Sequence, residues 1–170
     1  GTCPTQNLVD AFQTENGYNV SLTESGWQSD DPEFNETTPY SNRDPRFYKT
    51  ILYDGAHFKD TTVNVQNGGK DGPPIQGATR TGYYLRKYLI ESIDLTPGVN
   101  TTGKHHWIIF RYAEILLNYA EAMNNAYGPN YTNGTFGISA MNALNQVRER
   151  ANMPTYSGLT SEEFTQVLRR

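Results

Sequence analysis

The chain is poor in cysteine, in charge and in long apolar runs, and each shortage excludes something. Cys3 is the single cysteine in 170 residues, so neither an internal disulfide nor a thiolate metal cluster can form, and the thiol is either a surface group or a small buried apolar one. Charged residues make up only 19% of the chain and the net charge is −4, which leaves no basic face to hold nucleic acid by counterion release and no charged tail. No apolar run has membrane-spanning length and no charged-then-apolar leader opens the chain, so any membrane attachment is expected to lie outside it. Catalytic signatures are missing too. There is no H-E-x-x-H or Cys/His metal motif, no glycine-rich phosphate loop and no G-x-S-x-G nucleophile elbow. His105 and His106 are neighbours that point different ways in an extended segment, and no second ligand stands at helical spacing from them or from His57. The acid pairs Asp30-Asp31 and Glu162-Glu163 read as a solvated loop and a helix start, without the fixed separation of carboxylates that glycoside hydrolysis requires. No catalytic residue, metal ligand or cofactor is expected.

Tyrosine is abundant, 12 against 7 phenylalanines, together with 15 glycines and 9 prolines. Rings with an apolar face and a polar tip, set among many turns, suit wet surfaces better than a dry catalytic cavity. With 36% hydrophobic content the length suits a single domain over residues 1–170, loop-rich with short strands over 18–106 and helical over 107–170. The strongest local signal is Arg111–Ala122, R-Y-A-E-I-L-L-N-Y-A-E-A. Around it Ile108, Tyr112, Ile115, Leu116, Tyr119, Ala122, Met123 and Ala126 recur at spacings of three and four, which predicts a buried helix ending near Tyr127 before Gly128-Pro129. Ile138, Met141, Leu144, Val147 and Ala151 mark a second helix, and the two make a helical hairpin.

Elsewhere, Thr5 caps a short helix carrying Leu8, Val9 and Phe12, while Tyr18–Tyr40 loses its period and reads as a long surface loop containing Trp27. Phe47–Tyr53 reads as a strand, turned at Asp54-Gly55 and returning near Thr61–Val65. Tyr83–Leu89 reads as extended. Thr160-Ser161-Glu162-Glu163 has the form of a capping box ahead of Phe164, Val167 and Leu168. The abrupt G-T-C-P start and a capped helix of only two turns at the other end suggest a piece of a longer polypeptide.

Five stretches in order, P-T-Q-N-L-V-D-A-F at Pro4–Phe12, N-R-D-P-R-F-Y at Asn42–Tyr48 with T-I-L-Y-D-G at Thr50–Gly55, G-Y-Y-L-R-K-Y at Gly82–Tyr88, R-Y-A-E-I-L-L-N-Y-A-E-A at Arg111–Ala122 and N-Q-V-R-E-R-A at Asn145–Ala151, together resemble the C-terminal region of the SusD/RagB family of nutrient-capturing surface lipoproteins. The resemblance implies a mostly α fold with irregular loops and a small β-hairpin, containing one tetratricopeptide-like helix pair. It also implies non-catalytic binding of an extracellular glycan or oligosaccharide at the outer-membrane surface, and delivery to a SusC-like TonB-dependent transporter. The membrane would be reached only through a lipid anchor outside this chain, and Cys3 is not that lipid site. The regions between Tyr18 and Tyr40 and between Ala56 and Thr81 match no fixed family pattern, so the ligand does not transfer.

Sugar sites stack an aromatic ring on a pyranose and pair hydroxyls with amides, carboxylates and guanidinium groups. Trp27, beside Gln28, Asp30 and Asp31, offers that mixture, and the same ring could equally anchor its loop on its own domain. Tyr40 and His57 are further candidates, weighed against a structural or merely exposed role. Asn42-Arg43-Asp44-Pro45-Arg46 reads as a turn tied by an arginine fork rather than a carboxylate clamp, and Tyr83, Tyr84 and Tyr88 read as packing. The alternative to glycan capture is a helical interaction module that docks on a partner chain without a ligand site of its own.

Overall fold

Thr5 accepts a hydrogen bond from the Leu8 amide and so caps α1, Gln6–Asp10, whose Val9 is fully buried. The structure, a computed structural model, describes residues 2–94, 96–104 and 106–170; His105 lies outside the described residues. Two compact units result, Gly1–Thr14 with Tyr18–His106, and Glu15–Gly17 with Trp107–Arg170.

In the first unit α1 is followed by a hairpin of β1 (Val20–Thr23) and β2 (Gly26–Ser29), with Leu22 opposite Trp27. This corrects the expectation of unbroken loop from Tyr18 to Tyr40. The alternation in Val20–Thr23 is only four residues long, but Gly26 at φ 105° closes the turn where a side chain would be strained. The Thr23 hydroxyl locks it, donating to the Gly26 carbonyl and accepting from the Ser25 amide.

Residues 47–50, expected as strand, are helical. Asp44 caps the N-terminus of α2, Pro45–Thr50, by accepting from the Arg46 amide, and Pro45 in its first turn is pre-set for a helix. Extended chain begins only at β3 (Ile51–Leu52), and its partner is not the segment after Asp54-Gly55 but β6 (Tyr84–Leu85). The return near residue 61 does form, as β5 (Thr61–Thr62) on β4 (His57–Phe58), extended by the Val63 amide bonding to the Ala56 carbonyl at 2.8 Å. Two small cores result, one of Val9, Phe47, Ile51 and Tyr83, the other of Leu52, Ala56 and Val63. Cys3 is half-buried.

Arg43 ties this unit together. Its guanidinium donates to the carbonyls of Val9 (2.8 Å), Phe12 (2.7 Å) and Pro39 (3.0 Å) and lies 5.0 Å from the centre of the Phe47 ring. The Val9 carbonyl also accepts from the Phe12 amide at 3.2 Å, so the planar fork adds a charged donor there and joins it to carbonyls beyond the end of α1. Arg46 pairs with the capping Asp44.

The second unit is a helical bundle of α3 (Tyr112–Tyr127), α4 (Ala140–Arg150) and α5 (Ser161–Leu168). Gly128 at φ 89° stops α3, Ser139 caps α4 through the Asn142 amide, and Thr160 with Glu163 completes the capping box of α5. Leu116, Ala120, Met123, Ala140, Met141, Ala143, Leu144 and Phe164 form its core. Two expectations for α3 are corrected. Ile108 lies before the helix, and the buried stripe is Leu116, Ala120, Met123 and Asn124, rotated away from the predicted face. Tyr112 and Ile115 remain 71% and 53% exposed, with Ala122 and Ala126 exposed on the same side. The helix is apolar on two faces, and the face with the small Ala120 is the one that α4 and α5 approach, because a small side chain lets helix axes come close.

Candidate functional site

The hairpin β1–β2 exists to hold Trp27 over the aromatic core of the first unit. The half-buried indole meets Tyr40 edge-on, with centroids 5.5 Å apart and planes at 77°, and Tyr40 in turn packs on Tyr53 at 4.5 Å and on Phe47 at 6.1 Å. Such edge and offset contacts align the positive rim of one ring with the negative face of the next.

Hydrogen bonds fix Tyr40 further. Gln6 Nε2 donates to Asp10 Oδ1 at 2.7 Å, which turns Gln6 Oε1 toward Tyr83. The Tyr83 hydroxyl donates its proton to that oxygen at 2.9 Å, so in its 3.1 Å contact with Tyr40 it is the acceptor and Tyr40 the donor. The Tyr40 proton is thereby engaged, which leaves its oxygen acceptor capacity alone. Burial pushes both phenols above the ordinary value, Tyr83 far above it.

After β2 the chain makes a scalloped loop. Successive turns close through Phe34 onto the Asp31 carbonyl, Thr38 onto Asn35 and Ser41 onto Thr38, each at 3.0 Å, and the Asn35 side chain accepts from the Thr37 amide. These turns enclose a pocket of about 40 Å³. Carboxylates come from Asp31 and Glu33, amides from Asn35 and Asn42, hydroxyls from Thr14, Thr38 and Ser41, and an apolar wall from Phe34. About 10–15 Å³ of probe-occupied space suffices for one water, so the pocket has room for a hydroxyl or a small exocyclic group. Asp31 is buried, its Oδ1 accepting from the Glu33 amide at 3.0 Å, which corrects the expectation that Asp30-Asp31 is wholly solvated.

The structure thus brings Trp27 and Tyr40 into contact and leaves His57 apart. His57 is exposed on the β4–β5 hairpin, whose Phe58 packs on the Leu52 core, and its carbonyl accepts from Arg86. The pocket residues Glu33, Asn35, Thr38 and Ser41 were not singled out from sequence. The signal was available in the D-P-E-F-N-E-T-T-P run, where Asp and Asn each stand two residues before the amide they accept from. Among the described residues no group of three or more His, Cys, Asp or Glu is placed to hold a metal ion, and no helix is long and apolar enough to cross a membrane.

The SusD family matches over residues 1–170, and the chain belongs to that family. Its fold is similar to the crystal structure of a SusD-like protein from Bacteroides fragilis NCTC 9343, with a TM-score of 0.75 at 28% identity over 98% of this chain. The chain spans 32% of that protein's length. No curated protein matches. The fold is therefore SusD-like, mostly helical in its regular structure, with small antiparallel pairs, and α3 with α4 as its tetratricopeptide-like pair.

Proposed function

We propose that this chain holds an extracellular oligosaccharide without cleaving it, as part of a SusD-family capture protein at the outer-membrane surface that delivers glycan to a SusC-like TonB-dependent transporter. The observation that carries the reading is Trp27 pinned by Tyr40, with the chain on either side of Tyr40 contributing Thr38 and Ser41 to a hydroxyl-sized polar pocket. Trp27 supplies the stacking face, Tyr40 positions it and offers an acceptor oxygen, and the pocket pairs with a hydroxyl or hydroxymethyl group. His57 serves as a separate exposed donor on its own hairpin. Few groups are desolvated, so affinity is modest. Calorimetric titration of the wild-type chain and its Trp27→Ala variant with cellohexaose, xylohexaose, mannohexaose and maltohexaose tests this. One sugar should bind and lose about tenfold in affinity, ~1.4 kcal/mol, in the variant; equal affinities would overturn the role of Trp27.

A second reading rests on the uncovered face of α3. Trp107, Ile108, Ile109 and Phe110 are all strongly exposed and run into Tyr112 and Ile115. A helix apolar on two faces is stable in water when both are covered, and tetratricopeptide-like pairs bury such faces on a neighbouring helix. This favours docking of α3 against a further apolar polypeptide surface, as a helical module without a ligand site of its own.

A further inference from the structure

A second aromatic surface stands in the loop after α3. Tyr127 ends the helix, Gly128 turns the chain, and Tyr131 returns to lie on Tyr127 with centroids 4.6 Å apart and planes 20° from parallel. Phe136 packs against Tyr127 at 5.7 Å and rests on the helical core, so the stack is anchored from beneath. Although each ring covers part of the other, Tyr127 keeps 53% and Tyr131 37% of its surface exposed. The rings are therefore fixed in place without being buried.

The polar neighbours are fixed as well. Asn133 Oδ1 accepts from the amides of Thr135 at 2.8 Å and Phe136 at 2.7 Å, which sets the orientation of its amide, and Nδ2 donates to the Tyr131 hydroxyl at 3.0 Å. That hydroxyl is filled as an acceptor on one side and keeps its own proton to give. A ring face, an O–H donor and the exposed Asn130, Thr132 and Thr135 on the same loop complement a pyranose, whose C–H face stacks on the ring while its hydroxyls accept and donate. The polar loop argues against an apolar protein partner here, in contrast to the run at residues 107–112.

We propose that Tyr131, backed by Tyr127 and oriented by Asn133, is a second saccharide-contact platform, separate from Trp27. It rests on the reading of the ligand as a glycan, and its test keeps the two apart. The full chain, carrying ring-13C tyrosine and 15N tryptophan, would be titrated by NMR with cellohexaose, xylohexaose, mannohexaose and maltohexaose. The Tyr127 and Tyr131 signals would be assigned by Tyr→Phe variants. Each titration would reach about 10 mM, enough to fill most of a site of millimolar Kd. Saturable movement of the Tyr131 and Tyr127 ring signals with at least one sugar is expected, and Tyr131→Ala should abolish the movement of the Tyr127 signals while leaving the thermal midpoint unchanged. Movement of the tyrosine signals with the Trp27 indole silent supports this platform and overturns the Trp27 site. Movement of Trp27 alone supports the Trp27 site and overturns this platform, and silence of both overturns both. Tyrosine movement that persists in Tyr131→Ala also overturns the assignment of the platform to Tyr131.

Discussion

Phe164 and Arg43 are equally lost from solvent, at 0% and 1% exposure, yet they hold their regions in opposite ways. Phe164 fills the space between three helices with atoms that need only volume and an apolar surround. Arg43 enters its unit with a charge, which burial disfavours and which carbonyls at the end of α1 make tolerable. The helical unit is therefore organised by side-chain packing. The loop-rich unit, where the regular elements are short, is organised by a polar hub that reads the backbone.

The largest expected effect follows from that contrast. Arg43→Ala should cost about 4 kcal/mol, because it combines a cavity with the loss of charge-assisted hydrogen bonds to three carbonyls, and Arg43→Lys should recover little of it since an ammonium cannot span the same acceptors. Urea unfolding followed by circular dichroism gives the size. Hydrogen exchange should show the loss concentrated at residues 9–13; a loss spread evenly over α3–α5 would break the contrast. Phe164→Ala should cost about 3 kcal/mol through its cavity, with exchange accelerated in α3 and α4.

Tyr83→Phe removes the hydroxyl between Tyr40 and Gln6 and should cost about 1 kcal/mol at neutral pH. It also changes the pH dependence. The Tyr83 phenol is raised in the folded state, so its contribution is complete below the ordinary value of 10.0 and is lost as pH rises above it, where the unfolded chain releases the proton and the folded one holds it. Urea midpoints from about pH 8 to about pH 11 should fall in the wild type and fall less steeply in the variant. The smallest effect belongs to the helical unit: Ser139→Ala, which deletes the cap on the Asn142 amide, should cost about 1 kcal/mol or less with no pH signature.

The same contrast decides how much could be read beforehand. Helices α3, α4 and α5 and the cap at Thr5 were legible because periodicity and capping are local. The face of α3 was not: Ile115 and Leu116 are both apolar, and which one is buried depends on where α4 and α5 lie. The hairpin that carries Trp27 was missed because a four-residue alternation is too short to register, and the helix at residues 45–50 because the aromatic content of Phe47-Tyr48 outweighed the Asp44-Pro45 start signal. Trp27 and Tyr40 were picked out by residue type, but their contact joins segments that only the fold brings together. The pocket at residues 31–42 consists of turns, whose chemistry is written in single Asp and Asn residues rather than in a repeating pattern.

The central claim is that Trp27 faces a sugar. Trp107 is the other tryptophan and is 92% exposed, so Trp107→Phe leaves Trp27 as the sole indole reporter without touching a core. Fluorescence of that variant, titrated with the four hexasaccharides, should change saturably with one of them and stay flat with the others. A flat response to all four would contradict the account.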